Sequence, residues 1–405
     1  MTTTCPDVLS PEYQHDPVPF YRIMHEDFPV FHHEASGYYF ISRYEDVVRA
    51  FKDSETFSSE NYSFQLEPVI GKTFMQLGGR DHSVQRQLVT PTLRGKWLEG
   101  LSGLIEANAD VLFDKFRSRG QTEFVDEFSR WFPINVIVDM LGLPKEELPR
   151  FHELYKCIMA NVSNITADPD IAEWGRKTND SYGAYILPII NQRRDAELTP
   201  DLISHLAHAE VDGEQYSDEQ IKALVGLMIN AGGETTDKAL AYMIKNLLEH
   251  PEQFAALRED RALALAVLAE NLRYSPPVPI DIRTATTDVE MSDGSVIPAQ
   301  SIVALMIGAA NRDASRWKNP NSFDIYRDDM NVENAFLGSA DHLTFALGRH
   351  FCVGSLLAKR EMEIALDKVL DEMPDLRFAD GFSPIEVGLF TRGPQELRLE
   401  FTTRN

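Results

Sequence analysis

The spacing of apolar residues along the chain predicts a mainly α-helical protein with small β-sheets. Eight segments have apolar residues at three- and four-residue steps, the period of a helix with one buried face. They are residues 19–29, 44–51, 98–119, 126–141, 149–165, 171–194, 217–249 and 356–370. Alternating apolar and polar residues instead predict short strands. These fall in a hairpin at 30–42, a strand at 279–283, a hairpin at 287–310 and a final hairpin at 387–401.

Residues 59–79 are rich in apolar side chains but have no regular period. Pro68, Gly71 and Gly78 interrupt the segment. Such a segment is typical either of a loop packed on the core or of the lining of a pocket, and the pattern does not choose between the two.

The composition indicates one domain over residues 1–405. No linker rich in Pro, Gly or Ser, no repeat and no low-complexity segment divides the chain. The net charge of −24 argues against binding to nucleic acid or to an anionic membrane. Residues 1–17 lack an apolar core, so we expect neither a signal peptide nor a membrane anchor. Three cysteines, Cys5, Cys157 and Cys352, make no disulfide framework, which favours a reducing cytoplasm.

The predicted helix over residues 217–249 contains adjacent glycines, Gly232 and Gly233, followed by Glu234 and Thr235. Each glycine inside a helix costs about 1 kcal/mol relative to alanine, so the pair needs a reason. Close packing against another helix is one reason. The other is that a flat cofactor or bound O2 lies against the bare backbone of a locally distorted helix. In that case a threonine beside a carboxylate forms a proton path from solvent.

A single cysteine near the C-terminus, Cys352, is flanked by glycines and followed by a predicted helix. Unpaired N–H groups at a helix N-terminus stabilise a thiolate. Gly348 and Gly354 allow a tight loop around the sulfur and the approach of a large flat group. Arg349 and His350 add donors for an anionic group. A haem meets these demands through its iron, its planar face and its propionates, whereas an isolated cysteine alone would favour a buried structural role.

These residues resemble the haem-binding loop of the cytochrome P450 family, Phe-Gly-x-Gly-x-His/Arg-x-Cys-x-Gly followed by Ala and Glu in the next helix. The matching positions are Phe345, Gly348, His350, Cys352, Gly354, Ala358 and Glu361. The chain departs from the family at Ala346, where glycine is usual. Ala231 to Thr235 similarly resembles the family's Ala-Gly-x-Asp/Glu-Thr motif. The resemblance covers nearly the whole chain and implies the cytochrome P450 fold, with haem between the long central helix and the cysteine loop.

The resemblance implies a role for each matching residue. Cys352 is the axial ligand of the haem iron, Glu234 relays protons, and Thr235 hydrogen-bonds dioxygen at the iron. The haem-binding residues of the two motifs are Ala231, Gly232, Phe345, Gly348, His350 and Gly354. The propionate-binding residues are His82, Arg86 and Arg283. His82 and Arg86 are four residues apart, so they share one helix face and can clamp a carboxylate, although such pairs are usually only solvated.

Glu270 and Arg273 are three residues apart, just before Pro276 and Pro277. On a surface this ion pair would be weak. The apolar stretch that follows indicates burial, where a pair must be fully hydrogen-bonded. The resemblance adds Arg327 and implies a structural triad that supports the cysteine loop.

The activity that the resemblance implies is that of a haem-thiolate monooxygenase that hydroxylates or epoxidises a hydrophobic small organic molecule. Its cofactor is haem b and its co-substrate is O2. Its electrons come indirectly from NAD(P)H, through a ferredoxin reductase and a ferredoxin. We expect a local basic patch to dock an acidic ferredoxin, with candidates Arg94, Lys96, Arg349, Lys359 and Arg360.

Three alternative functions stay open. A haem-thiolate peroxygenase would use peroxide in place of O2 and a reductase, and a haem sensor or carrier would have no turnover. Glu234 and Thr235 disfavour both, because such peroxygenases often lack this pair and a sensor needs no proton delivery. A non-haem helical binding protein would require the motifs to be coincidence.

An apolar substrate chamber is also implied, and its lining indicates a hydrophobic substrate such as a terpenoid, steroid, fatty acid or aromatic compound. The candidate lining residues are Phe64, Leu66, Val69, Leu224, Leu227, Met228, Val278, Ile280 and Phe390. The alternative for each of them is ordinary packing in the core.

Overall fold

The computed structural model describes residues 4–164 and 168–403 and confirms a mainly helical chain with small sheets. The helices are α1 Pro11–His15, α2 Val18–Asp27, α3 Tyr44–Lys52, α4 Tyr62–Gln65, α5 Glu67–Ile70, α6 Gly79–Val89, α7 Gly95–Gly100, α8 Ser102–Phe113, α9 Phe132–Leu141, α10 Leu148–Val162, α11 Pro169–Asp195, α12 Leu202–His208, α13 Asp218–Glu249, α14 Pro251–Glu259, α15 Ala264–Tyr274, α16 Ile307–Ala310 and α17 Ser355–Glu372. None of these described helices is long and apolar enough to cross a membrane. The last residue of the helix predicted over 149–165 lies outside the described residues.

The strands are short and form small sheets. They are β1 Val30–His33, β2 Tyr38–Ile41, β3 Phe57–Ser58, β4 Gln121–Glu123, β5 Glu210–Val211, β6 Glu214–Gln215, β7 Asp281–Ala285, β8 Val289–Glu290, β9 Val296–Ile297, β10 Ile302–Leu305, β11 Arg377–Phe378, β12 Glu386–Val387, β13 Gly393–Pro394 and β14 Arg398–Glu400. The antiparallel pairs β1–β2, β8–β9 and β12–β13 confirm a hairpin in each of the three predicted segments. The predicted extent of two of them is wrong. Residues 302–305 form β10, which pairs with β2 and β7, and residues 398–400 form β14, which pairs with β11 and β4.

The described chain divides into two compact units. The first comprises residues 1–57, 105–132 and 234–405, and the second comprises 58–104 and 133–233. The single domain predicted over 1–405 stays a prediction.

The first unit contains a five-stranded sheet in the order β1-β2-β10-β7-β3. Strand β10 runs parallel to β2 and antiparallel to β7. One apolar cluster joins this sheet to α3 and to the chain just before the cysteine, since it includes Ile41, Phe51 and Val303 together with Leu343 and Leu347. The approach to the cysteine loop is therefore fixed by the core of this unit.

The second unit is a group of closely packed helices. Two glycines of α13 explain how closely they pack. A Cβ added at Gly226 would lie 2.7 Å from Ile70 of α5, and one added at Gly232 would lie 2.8 Å from Ile137 of α9. A Cβ at either position would force the isoleucine side chain to shift, so both glycines have a helix-packing reason.

Three local predictions are wrong in detail. The segment 59–79 is not wholly irregular, because it forms α4, α5 and a 3₁₀ turn at Phe74–Gln76, which are too short to show a period. The helix predicted over 98–119 is two helices, since low helix propensity at Gly100 and Gly103 favours the break between α7 and α8. The helix predicted over 126–141 begins as a π-helical turn at Val125–Ser129 and resumes as α9, with Pro133 in its first turn.

The long helix α13 confirms its predicted N-terminus. The Ser217 hydroxyl accepts a hydrogen bond from the Gln220 N–H, and the Gln220 side chain accepts one from the Ser217 N–H. This is a capping box. The local distortion expected at residues 230–236 is not observed, because α13 stays α-helical from Asp218 to Glu249. The close approach of Ile137 provides the other reason for a glycine, without any distortion.

Candidate active site

The cysteine loop, residues 345–354, is held by its own backbone. The Cys352 N–H donates to the Phe345 carbonyl at 2.9 Å, and the Phe351 N–H donates to the Gly348 carbonyl at 3.2 Å across a 3₁₀ turn. The chain then passes directly into α17, whose first residue is Ser355. The thiol of Cys352 is exposed. The loop therefore presents a sulfur at the start of a helix on a closed backbone frame.

Two residues of the loop have left-handed backbone conformations. Gly348 has φ +69°, and an added Cβ would lie 2.9 Å from the Phe51 carbonyl oxygen at the end of α3. Glycine is required there on both counts. Ala346 has φ 56°, a conformation that costs about 1–2 kcal/mol for a residue with a Cβ. The position at which the chain departs from the family motif is therefore one where glycine would fit without strain.

The residues around Cys352 fit a haem. The thiol is a soft donor for iron, and it precedes the first turn of α17, where free N–H groups favour the thiolate. A Cβ added at Gly354 would lie 3.9 Å from the sulfur, so glycine keeps this side of the thiol open. Arg349 is exposed beside it and His350 is half-buried. This donor set supports iron ligation together with binding of an anionic group.

A buried ion cluster lies in the same unit. Glu270, Arg273 and Arg327 are almost fully shielded from solvent. Arg273 donates to both carboxylate oxygens of Glu270 at 2.7 Å, and Arg327 Nε lies 3.0–3.1 Å from the same two oxygens. The Asp324 N–H adds a third donor, so the carboxylate is fully hydrogen-bonded. The structure thus brings together the three residues of the predicted triad, and their supporting role stays a prediction.

Asn311 connects this cluster to the cysteine loop. Its carbonyl accepts a hydrogen bond from Arg273, and its side-chain oxygen accepts one from the Leu343 N–H at 2.8 Å. Its side-chain nitrogen donates to the hydroxyl of Thr344, next to Phe345. Two steps of hydrogen bonding therefore separate the buried cluster from the start of the loop.

Glu234 and Thr235 lie at the start of the half of α13 that belongs to the first unit, and both are half-buried. The Thr391 hydroxyl donates to Glu234 Oε1 at 3.0 Å. One residue beyond Thr235, the buried Thr236 hydrogen-bonds with Glu361 of α17. The acid and the alcohol predicted for proton delivery are thus adjacent, and two distant segments contact this part of the helix.

Glu361 is a buried carboxyl, with 1% of its surface exposed. Burial raises its pKa well above the usual range, and the hydrogen bond with Thr236 only partly opposes this rise. Burial therefore favours the protonated, neutral form of this carboxyl, which lies between α17 and α13.

Arg283 is buried on β7. Its guanidinium lies 2.9 Å from Asp281 and 5.4 Å from the centre of the Phe51 ring. A carboxylate on the same strand thus neutralises the cation predicted to bind a propionate. The remaining predicted haem residues lie in the second unit. There, His82 is buried against Phe74 on α6, with half-buried Arg86 one turn later, while Ala231 and Gly232 lie on α13.

The predicted substrate-lining residues differ in burial. Most are buried, namely Leu66, Val69, Leu224, Leu227, Met228, Ile280 and Phe390. Val278 is half-buried, whereas Phe64 is 79% exposed.

Three residues in contact with the site gave no clear functional signal in the sequence. Thr391 belongs to an alternating hairpin, and Asn311 directly follows the hairpin predicted over residues 287–310. Glu361 is the last position of the cysteine motif. The available signal for Glu361 was its position on the apolar face of the helix predicted over residues 356–370. A carboxyl on a buried face must be neutral or paired.

Comparison with known proteins identifies similar chains over almost the full length. The family model for cytochrome P450 matches residues 20–373. Pulcherriminic acid synthase of Bacillus subtilis is 36% identical over 395 residues, which cover 97% of this chain and 97% of that protein. A steroid C26-monooxygenase of Mycobacterium tuberculosis is 30% identical over 94% of this chain and 93% of its own. A solved cytochrome P450 from Chondromyces apiculatus has a TM-score of 0.86 at 29% identity, with 98% of each chain covered.

Proposed function

The chain belongs to the cytochrome P450 family and is a haem-thiolate monooxygenase, and we propose that Cys352 is the ligand of its haem iron. The enzyme uses haem b and O2, and it receives electrons from NAD(P)H through redox partners. The observation that carries the assignment is the exposed thiol of Cys352 on a closed loop at the start of α17. Haem with a thiolate ligand promotes O–O cleavage, so that one oxygen atom enters the substrate and the other leaves as water.

The loop residues hold the thiolate and shape its surroundings. The N–H groups at the start of α17 favour the charged sulfur. Gly354 keeps one side of the sulfur open, and Gly348 and Phe345 complete the loop that we propose contacts the cofactor. We also propose that His350, Arg283, His82 and Arg86 donate to its carboxylates. Ala231 and Gly232 are proposed as contacts of its flat face.

Glu234 and Thr235 are the proposed catalytic residues. The Thr235 hydroxyl donates a hydrogen bond to dioxygen, and the Glu234 carboxyl supplies protons that are replaced from solvent. This pair also distinguishes the proposal from the two haem-based alternatives. Neither a peroxide-dependent enzyme nor a non-catalytic sensor requires a proton supply at this position.

A ferredoxin and its reductase are the proposed redox partners. Lys359 pairs with Glu363 and Arg360 pairs with Glu106, so their charges are partly compensated. Arg349 is exposed and is kept as a docking candidate of the first unit. A cytoplasmic location is proposed as well, since cysteines that form no disulfide among the described residues, together with NAD(P)H-dependent donors, suit a reducing compartment.

The proposed substrate is a hydrophobic small molecule. The steroid C26-monooxygenases among the similar proteins and the buried apolar candidates around Ile280 and Phe390 support this class. We propose that Phe64 has no lining role, because most of its side chain faces solvent.

The test is the absorption spectrum of the dithionite-reduced protein with carbon monoxide. We expect a Soret band strongly shifted to the red in the wild type, because the thiolate of Cys352 would be the protein ligand of the reduced, carbon monoxide-bound haem. Cys352→Ser should lose this band and reduce turnover below detection. Cys157→Ser is the matched control, since Cys157 is buried in α10, and it should keep the band. Retention of the red-shifted band in Cys352→Ser would overturn the assignment.

A further inference from the structure

The acid proposed for proton delivery has a distant hydrogen-bond partner. Thr391 Oγ1 donates to Glu234 Oε1 at 3.0 Å, although 157 positions separate the two residues in the chain. A hydroxyl donates a directional hydrogen bond to a carboxyl oxygen, and 3.0 Å lies at the upper end of the usual range for an O–H···O bond. This contact therefore restricts the orientation of the Glu234 side chain.

The loop that carries Thr391 is anchored on several sides. Strands β12 and β13 flank it, with Val387 paired to Gly393. Gly388 has φ +110°, and an added Cβ would lie only 1.8 Å from the Thr391 carbonyl oxygen, so only glycine permits this turn. The loop is therefore a defined tight turn, and the Thr391 hydroxyl is held at a fixed place.

Arg392, the next residue, attaches the loop to α1 and to the base of its own hairpin. Its side chain is buried and donates to the carbonyls of Gln14 and His15 at 2.8 and 2.7 Å. It also pairs with Glu386 at the base of the hairpin. Three attachment points make large movements of Thr391 costly, so the hydroxyl can act as a fixed reference for the acid.

We propose that Thr391 is a positioning residue that holds the Glu234 carboxyl for proton delivery. The inference rests on the proposed role of Glu234. A hydroxyl both donates and accepts, so Thr391 can donate to the carboxylate and accept from the protonated acid by rotating its O–H bond. The Glu234 side chain thus keeps one orientation in both protonation states.

The proton balance of turnover shows which step depends on the orientation of the Glu234 side chain. Each cycle consumes one O2, two electrons from NAD(P)H and two protons, and it yields hydroxylated substrate and water. Glu234 gives up a proton and takes another from solvent, so it ends the cycle unchanged. A carboxyl that exchanges between several rotamers spends less time in the orientation that delivers the proton, so delivery is slower. Reduced oxygen is then released as peroxide.

The test compares Thr391→Val, which keeps the shape and removes the hydroxyl, with Thr391→Ser, which restores the hydroxyl. We expect Thr391→Val to slow the proton-dependent step about two- to ten-fold, the range for loss of one hydrogen bond, and to raise peroxide release per NAD(P)H consumed. The solvent isotope effect should rise, and Thr391→Ser should recover most of the loss. If Thr391→Val does not fold, Thr391→Ala replaces it.

Infrared spectroscopy provides a readout apart from turnover. The carboxylate band of Glu234 is assigned by its disappearance in Glu234→Gln, and it should shift in Thr391→Val but not in Thr391→Ser. Thr402→Val is the matched control, because Thr402 donates to Asp375 at 2.8 Å on the exposed surface near the C-terminus. This control should change neither the Glu234 band nor the peroxide yield.

The outcomes distinguish a failure of the proposed role of Glu234 from a failure of the proposed role of Thr391. Normal proton delivery in Glu234→Gln would overturn the role of Glu234 and the inference with it. Impaired delivery in Glu234→Gln, with an unchanged band and unchanged peroxide release in Thr391→Val, would overturn only the positioning role. A loss in Thr391→Val that Thr391→Ser fails to recover would also overturn it, because the hydroxyl would then not be the cause.

Discussion

The cysteine loop and the acid–alcohol segment of α13, residues 230–236, are stabilised by different kinds of contact. In the loop, hydrogen bonds join residues that are close in sequence, such as Cys352 to Phe345 and Phe351 to Gly348. In the acid–alcohol segment, side chains come from far along the chain. Thr391 reaches Glu234, and Glu361 reaches Thr236.

This difference determines what a substitution can do in each region. A loop held by its own backbone depends on the local conformations of a few residues, above all on its positive φ angles. A helix segment oriented by distant side chains depends on the packing of the elements that carry them. The loop should therefore keep its geometry when distant contacts weaken, whereas the acid–alcohol segment should respond to them.

The largest expected effect comes from the buried ion cluster, which Asn311 connects to the start of the cysteine loop. Glu270→Gln leaves Arg273 and Arg327 buried without their carboxylate, and breaking a buried ion pair in this way costs about 3–5 kcal/mol. We expect the free energy of unfolding in urea to fall by that amount. Below the unfolding transition, the Soret band of the reduced protein with carbon monoxide should stay in place, because the loop keeps its own hydrogen bonds.

An exposed ion pair is the control for this test. Arg22 and Glu26 lie one turn apart on α2, with most of both side chains in solvent. Glu26→Gln should change stability by less than about 1 kcal/mol, as exposed pairs do. A shifted Soret band in folded Glu270→Gln would show that the loop depends on the distant cluster after all, and the comparison would fail.

The same contrast explains how far the sequence predicts this molecule. The long helix with its capping box, the hairpins and the residues around Cys352 have signals within a few positions of one another, and these predictions hold for the fold. The sequence could not reveal that Thr391 contacts Glu234 or that Ile137 packs closely against Gly232. Those contacts depend on how separate elements pack. Arg360 looked available for docking for the same reason, since its partner Glu106 is distant in the chain, whereas the partner of Lys359, Glu363, is only four residues away.

A test with an intermediate expected effect concerns Glu361, the buried acid that hydrogen-bonds with Thr236 of the acid–alcohol segment. Glu361 has a raised pKa in the folded protein, so it holds a proton that the unfolded chain loses above about pH 4.5. The contribution of Glu361 to the free energy of unfolding is fully present below that pH. It falls by up to about 1.4 kcal/mol per pH unit as the pH rises towards the pKa of the folded protein. Glu361→Gln does not titrate and can retain a hydrogen bond to Thr236, so it should be more stable than the wild type near neutral pH.

Urea unfolding at several pH values from about pH 7 upwards measures this difference. This range avoids acid pH, where buried His342, whose pKa burial lowers to about 4, also changes the stability. Glu363→Gln is the control, because Glu363 lies two residues along α17 with its carboxylate in contact with solvent and Lys359. An equal stability of Glu361→Gln and wild type at every pH would show that the buried acid is not protonated in the folded protein.

The test with the smallest expected effect concerns the left-handed backbone conformation of Ala346 in the cysteine loop. Ala346 has φ 56°, so Ala346→Gly removes the strain of a left-handed alanine and adds the larger entropy of an unfolded glycine. The relief of about 1–2 kcal/mol of strain, less an entropy cost of about 0.4–1 kcal/mol, predicts a gain between zero and about 1.5 kcal/mol in the free energy of unfolding. Ala107 lies exposed inside α8, where the same substitution should cost about 1 kcal/mol. A loss at Ala346 as large as at Ala107 would show that this position is unstrained, and the loop would then owe its shape to its surroundings and not to its own backbone.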